Sequence, residues 1–123
     1  MRRSARHYLV VAATVAGLSW WRRIGRVEVT GDSMLPALAP GDRLFVLRDR
    51  RARIGDVVAV ADPRVPSRTL VKRVAATGPL GVFVLGDNAE ASTDSRILGP
   101  VAPAAIRGRA VYRYFPDSRR GRL

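Results

Sequence analysis

Two residues of this chain stand out as candidates for chemistry. One is Ser33, in Thr30-Gly31-Asp32-Ser33-Met34-Leu35-Pro36; the other is Lys72, in Leu70-Val71-Lys72-Arg73-Val74. A hydrolase of the covalent type needs a nucleophile and a group to take its proton. Histidine is the usual partner of serine, but the one histidine, His7, lies in a basic leader before an apolar run. A Ser-His-Asp arrangement is therefore not supported. The chain has no cysteine, which removes thiol nucleophiles, disulfides and thiolate metal sites. With one stray histidine and no telling carboxylate spacing, no metal or other cofactor is implied.

What remains is a serine–lysine dyad. The chain holds twenty-one arginines and a single lysine. Arginine stays protonated at any ordinary pH, whereas a buried lysine can release its proton near neutrality. A lone lysine in such a background is where a base would be sought, although an ordinary surface lysine fits the composition equally well. Ser33 taken alone reads as a turn serine. Its surroundings favour more: Gly31 leaves room for a substrate backbone, Pro36 stiffens the following turn, and a serine at a strand end can aim its own N–H at an oxyanion. Strand alternation sets Lys72 on the face opposite Val71 and Arg73. Pointing inward it would be desolvated, which lowers its pKa and makes it a usable base.

The elements that must position these residues are short. Val27–Thr30, Arg43–Leu47, Asp56–Ala61, Thr69–Ala76, Gly81–Leu85 and Arg109–Phe115 read as strands. Pro36, Pro40-Gly41, Ile54-Gly55-Asp56, Asp62-Pro63, Gly78-Pro79 and Gly99-Pro100 read as turns, and Pro103–Ile106 as one helical turn. Arg48–Arg53 reads as an exposed loop. Six strands at this spacing predict a mainly β fold, a compact and mostly antiparallel sheet or partly open barrel. The chain divides into a basic and apolar leader over 1–26, a catalytic β domain over 27–116 and a basic tail over 117–123.

The net charge is +12, and its excess lies at the two ends: +6 over 1–26 and +3 over 113–123. A nucleic-acid reader concentrates charge on its folded face instead, so no nucleic-acid partner is expected. Residues 8–21 (YLVVAATVAGLSWW) form an apolar run flanked by Arg2, Arg3 and Arg6 and by Arg22, Arg23 and Arg26. A spanning helix usually needs about 20 apolar residues, so this run is short, though Tyr8, Trp20 and Trp21 suit an interface. It reads as a short membrane anchor, an interfacial helix or a helix packed on a soluble body; membrane association is ranked ahead of a cytoplasmic location. The C-terminal Arg119-Arg120-Gly121-Arg122 reads as a solvated tail.

Five motifs then occur in order: Gly31-Asp32-Ser33-Met34-Leu35-Pro36, Gly41-Asp42, Gly55-Asp56-Val57-Val58, Val71-Lys72-Arg73-Val74, and Gly86-Asp87-Asn88 followed by Ser92-Thr93-Asp94-Ser95-Arg96. Over residues 27–115 the chain resembles the type I signal peptidase superfamily. That resemblance implies a serine endopeptidase with Ser33 as nucleophile and Lys72 as general base. Gly31, Asp32, Met34 and Pro36 would shape the substrate and oxyanion side. Gly86, Asp87 and Asn88 would form a supporting loop. The Ser92 hydroxyl would orient the lysine amine, and Asp94 and Arg96 would make an ion pair behind the site. Gly31 stands where some bacterial members have a serine that helps bind the oxyanion, so here backbone N–H groups, chiefly that of Ser33, would do so.

Only thirteen residues separate Lys72 from Gly86, where many signal peptidases carry a large insertion. This short form, with its Tyr112-Arg113-Tyr114-Phe115-Pro116 ending, looks like the nickel-type superoxide dismutase maturation proteases. That likeness implies removal of an N-terminal propeptide from the dismutase precursor. Cleavage of signal peptides from exported proteins is the alternative. A non-catalytic binding module on the same fold would require a lost serine–lysine pair, which is present here, and a self-cleaving repressor module would need a helix-turn-helix that the short apolar leader does not supply.

Overall fold

The computed structural model describes residues 22–48 and 51–123. The apolar run 8–21 therefore lies outside the described residues. Among the described residues no helix is long and apolar enough to cross a membrane.

Seven antiparallel strands form one open sheet: β1 (Ile24–Glu28), β2 (Arg43–Leu47), β3 (Val57–Ala61), β4 (Thr69–Gly78), β5 (Gly81–Leu85), β6 (Ile106–Phe115) and β7 (Gly121–Arg122). Their order across the sheet is β1-β2-β6-β3-β4-β5, with β7 also paired to β6. The mainly β, partly open fold expected from the strand spacing is what forms. A four-residue helix, α1 (Ser95–Leu98), and 3₁₀ turns at Ala89–Ala91, Pro103–Ala105 and Asp117–Arg119 complete the described chain.

The sheet can be open yet compact because β6 serves two sets of neighbours. Its C-terminal part pairs with β2, from Arg109 opposite Leu47 to Phe115 opposite Arg43. Its N-terminal part pairs with β3, from Ile106 opposite Val60 to Arg109 opposite Val58. Gly108 allows the close approach: a Cβ there would stand 2.3 Å from the Leu47 carbonyl oxygen. Side-chain alternation sends two valine-rich faces in opposite directions. Met34, Leu38, Leu44, Val46, Val57 and Ala59 pack one core, and Val58, Val60, Val74, Val82, Val84 and Ile106 the other. β3 contributes to both, so all four residues Val57–Val60 are buried. That continuous apolar run is the mark of a central strand covered on both sides.

Several boundaries differ from the sequence reading: β3 begins at Val57 rather than Asp56, β4 runs on to Gly78, β6 begins at Ile106 rather than Arg109, and a seventh strand forms at Gly121–Arg122. The first strand begins at Ile24, inside the stretch assigned to the leader, and ends at Glu28. Ile24-Gly25-Arg26-Val27-Glu28 has no apolar alternation strong enough to announce a strand; its pairing with Arg43–Leu47 decides it. Val29 extends the contact beyond the strand, donating its N–H to the Asp42 carbonyl oxygen at 2.8 Å.

The C-terminal residues are also not a solvated tail. β7 pairs with Tyr112 and Arg113, and the reason is Asp42. That carboxylate is fully buried and accepts from the Ala39 N–H at 2.9 Å, from Arg113 Nη1 at 3.1 Å and from Arg119 Nη2. A buried charge must be paired, and the pairing ties residue 119 back to the start of β2.

Candidate active site

The site is assembled where β4 loses one neighbour. β5 covers β4 only from Arg73, opposite Leu85, to Gly78. β3 covers the other edge from Thr69 to Arg73. The edge Thr69–Lys72 is thus left without a strand on the β5 side, and it lines a cleft of about 190 Å³ with Gly31, Asp32 and Ser33. A larger cavity of about 680 Å³ lies elsewhere, between Arg26, Arg48 and Arg107, and its lining holds neither serine nor lysine nor carboxylate.

Ser33 follows Gly31, whose φ of 75° puts the chain in the left-handed region that glycine tolerates. Behind the serine, Met34 is fully buried and anchors the turn in the core, while Pro36 is exposed. Asn88 fixes the turn from across the sheet: its N–H donates to the Ser33 carbonyl oxygen at 2.9 Å, and its Nδ2 to the Asp32 carbonyl oxygen at 3.1 Å. Among the described residues no acceptor takes the Ser33 N–H, which leaves it available.

Lys72 stands opposite Val58 in the register, so its side chain leaves the sheet on the same face as Val58 and Val74. It is only 4% exposed. Its Nζ donates to Ser92 Oγ at 2.9 Å, and Ser92 Oγ donates in turn to Asp94 Oδ2 at 2.7 Å. No hydrogen bond joins Lys72 Nζ to Ser33 Oγ; the two meet only as walls of one cleft. Burial pushes the Lys72 amine below its ordinary pKa. The Asp94 carboxylate opposes that shift, and the Arg96 and Arg64 guanidiniums reinforce it.

Asp94 is the hub of the support. It accepts from the Gly86 N–H at 2.9 Å, from Arg96 Nε at 2.9 Å and Nη2 at 2.8 Å, and from the Arg96 N–H at 3.2 Å. Burial alone would raise its pKa, but the Arg96 pair, the Gly86 N–H and the Ser92 hydroxyl together hold it well below the usual carboxylate range. Ser95, which begins α1, accepts from the Val84 N–H at 2.9 Å and so ties this support to β5. Asp87 is placed differently: it forks with Arg73, at 2.8 Å to both Nε and Nη2, on the opposite face from Lys72.

Gly86 directly follows Leu85, the last β5 residue paired with β4. A Cβ at this position would lie 2.3 Å from Ser92 Oγ and 2.6 Å from the Ser33 carbonyl oxygen. Gly86→Ala is therefore expected to displace both sides of the site at once. It should cost about 1–3 kcal/mol in a urea melt and lower turnover by more than that loss of folded protein explains.

One part of the site was not singled out in the sequence. Asp62-Pro63-Arg64 repeats the geometry of Asp94-Ser95-Arg96. Asp62 accepts from the Arg64 N–H at 2.9 Å, Nε at 3.1 Å and Nη2 at 3.0 Å. Both aspartates are 1% exposed. Lys72 thus lies in the fields of two Asp-x-Arg clamps of nearly cancelling charge. The sequence carries only a repeated Asp-x-Arg spacing, which does not by itself mark a buried clamp.

An open antiparallel β domain with a serine turn and a buried lysine sharing one cleft defines the class of the signal-peptidase-like proteases. The comparisons agree: the chain matches the sequence profile of the family described as signal peptidase, peptidase S26, over residues 2–80 and 79–115. It belongs to that family, and is accordingly a serine-type peptidase and a hydrolase. It is 37% identical to the mitochondrial ATP-independent inner membrane protease subunit 1a of Arabidopsis thaliana, a match covering 81% of this chain and 76% of that one. It is 32% identical to the mitochondrial inner membrane protease subunit 1 of Mus musculus, over 76% and 71% of the two chains. With the probable signal peptidase I-1 of Synechocystis it shares 28% identity over 77% and 73%.

Proposed function

We propose that this chain is a serine–lysine endopeptidase that removes an N-terminal segment from a protein precursor. The observation that supports it best is a lysine amine, buried and held by Ser92, facing the same cleft as a serine whose N–H is free. Substrate adds as an extended strand along the open Thr69–Lys72 edge. Lys72, neutral, takes the proton from Ser33 Oγ as that oxygen attacks the scissile carbonyl carbon. The Ser92 hydroxyl accepts one amine N–H and passes its own hydrogen bond to Asp94, which leaves the nitrogen lone pair for the serine. The two groups come within hydrogen-bonding distance in the substrate complex. The Ser33 N–H holds the developing oxyanion. The Lys72 ammonium then protonates the leaving amine, and water hydrolyses the acyl-enzyme.

The substrate proposed is the precursor of nickel-type superoxide dismutase. The short β4–β5 hairpin, in which Gly78 pairs directly with Gly81, favours it by leaving no insertion to recognise a larger partner. A second reading is cleavage of preproteins at a membrane. It is favoured by the apolar run at 8–21 and by relatives whose names place them in an inner membrane. Incubating the purified full chain with a dismutase precursor and, separately, with a secretory preprotein distinguishes the two. Trimming of the dismutase precursor alone is the expected result. Cleavage of the preprotein alone overturns the dismutase reading.

A further inference from the structure

The segment joining β3 to β4, residues 62–68, is built more firmly than a surface turn requires. Pro63 and Pro66 each fix a backbone angle. The Asp62 N–H donates to the Arg68 carbonyl oxygen at 2.9 Å, the Arg68 N–H to the Val65 carbonyl oxygen at 2.8 Å, and Arg107 Nη2 to the Pro66 carbonyl oxygen at 2.6 Å. The buried Asp62 carboxylate grips Arg64 in a fork, although the Arg64 side chain itself is 48% exposed. Arg64's hydrogen bonds hold Asp62 below its ordinary pKa, so the pair stays charged throughout the working pH range.

What this segment presents is a pair of guanidiniums, Arg64 and Arg68, both lining the same cleft as Ser33 and Lys72. Arg68 makes no side-chain hydrogen bond or close ion pair among the described residues; its charge acts only at longer range on Asp62. The facing wall carries Glu28 and Asp32, which are likewise without an ion pair among the described residues. Asp62 offsets the Arg64 charge, so the net positive charge of this wall is that of Arg68, and the cleft has walls of opposite sign. An acidic side chain entering it is drawn to the 62–68 wall and repelled from the other, which selects both composition and register.

We infer that Arg64 and Arg68 form a specificity wall that selects substrates carrying an aspartate or glutamate near the scissile bond. This rests on the serine-protease reading of the cleft. The position follows from chain geometry: Arg68 immediately precedes β4 and is four residues from Lys72, or roughly 13 Å of extended chain. The acidic residue falls three to four positions from the cleaved bond.

The test uses the full chain and a mixture of random-sequence peptides, with cleavage products sequenced by mass spectrometry. Ser33→Ala provides the background. Enrichment of Asp or Glu three to four positions from the cleaved bond is expected. A matched Glu/Gln peptide pair should show about a fivefold difference in kcat/KM, the scale of a partly exposed ion pair. The preference should shrink in 1 M salt, where screening acts over about 3 Å. Arg68→Glu should reverse it toward lysine-containing peptides. Arg64→Gln should weaken it, and because that change leaves Asp62 poorly paired, Arg68→Glu carries the test if the Arg64 variant fails to fold. Wild-type cleavage with no acidic enrichment, or a preference unmoved by Arg68→Glu, overturns the inference and leaves the protease reading standing. No wild-type cleavage above the Ser33→Ala background overturns both.

Discussion

Ser33→Ala and Lys72→Arg are each expected to lower kcat/KM by at least about 10⁴-fold, the scale on which a nucleophile or its base contributes. The two fail for different reasons. Alanine removes the attacking oxygen, while arginine keeps the charge and loses the ability to give up a proton. Ser33 Oγ makes no hydrogen bond in the described structure, so the alanine variant should melt with the wild type. A third variant, Lys72→Met, separates chemistry from stability. It should be as inactive as the others and yet melt at a higher temperature, because it replaces a desolvated amine by a thioether of similar length. Full activity in Lys72→Arg would overturn the serine–lysine mechanism. The pH profile follows from the same burial: the rate should climb as pH rises through the lowered Lys72 pKa. Stability moves in the same direction. The folded pKa lies below the unfolded value of about 10.4, so the unfolded chain binds more protons in that window and folding gains as pH rises through it.

Asp94→Ala should cause the largest loss of stability, about 3–5 kcal/mol, because it leaves the Gly86 N–H and the Ser92 hydroxyl without their buried acceptor and frees the Arg96 guanidinium. Asp94→Asn keeps the size and loses the charge, and it offers a way to read the carboxylate alone. The folded pKa of Asp94 is depressed. Its contribution is therefore fully present above the unfolded value of about 3.9 and is lost as pH falls below it. Urea denaturation at pH 7 should show a wide gap between wild type and Asp94→Asn, and at pH 3 a narrower one. A gap of constant width would mean that shape, not charge, is what Asp94 supplies. The Asn variant should also lower the apparent pKa in the rate profile, because the carboxylate that favours the Lys72 ammonium is gone.

The strands most legible in the sequence are short continuous apolar runs set between turn residues. Arg43–Leu47 and Gly81–Leu85 form as read, to the residue. β1 was misplaced because Gly25, Arg26 and Glu28 dilute its pattern, and only its partner strand reveals it. The residues named for the site from Ser33 to Arg96 were legible as motifs. The structure brings Ser33, Lys72, Gly86, Asn88, Ser92, Asp94 and Arg96 together and sets Asp87 on the far face with Arg73. The Asp62–Arg64 clamp was not legible, and its spacing alone would not have sufficed. Asp117-Ser118-Arg119 has the same spacing, yet Asp117 contacts Arg120 and Arg119 turns to Asp42. The difference is burial: the Asp117 side chain is 88% exposed and needs no partner, whereas Asp62 and Asp94 are enclosed and take the nearest guanidinium. Enclosure is a property of the assembled sheet, not of three neighbouring residues.

The double burial of β3 has a bearing on where the molecule can yield. Amide protons along Val57–Val60 can exchange with solvent only when both cores part, which places this strand among the last segments to open. Lys72 is laddered directly to it, opposite Val58, so its amine is mounted on a strand backed by both cores. Ser33 sits in a turn outside every ladder, held by two hydrogen bonds from Asn88. An incoming peptide can thus reshape the serine side while the amine of the proposed base stays in register.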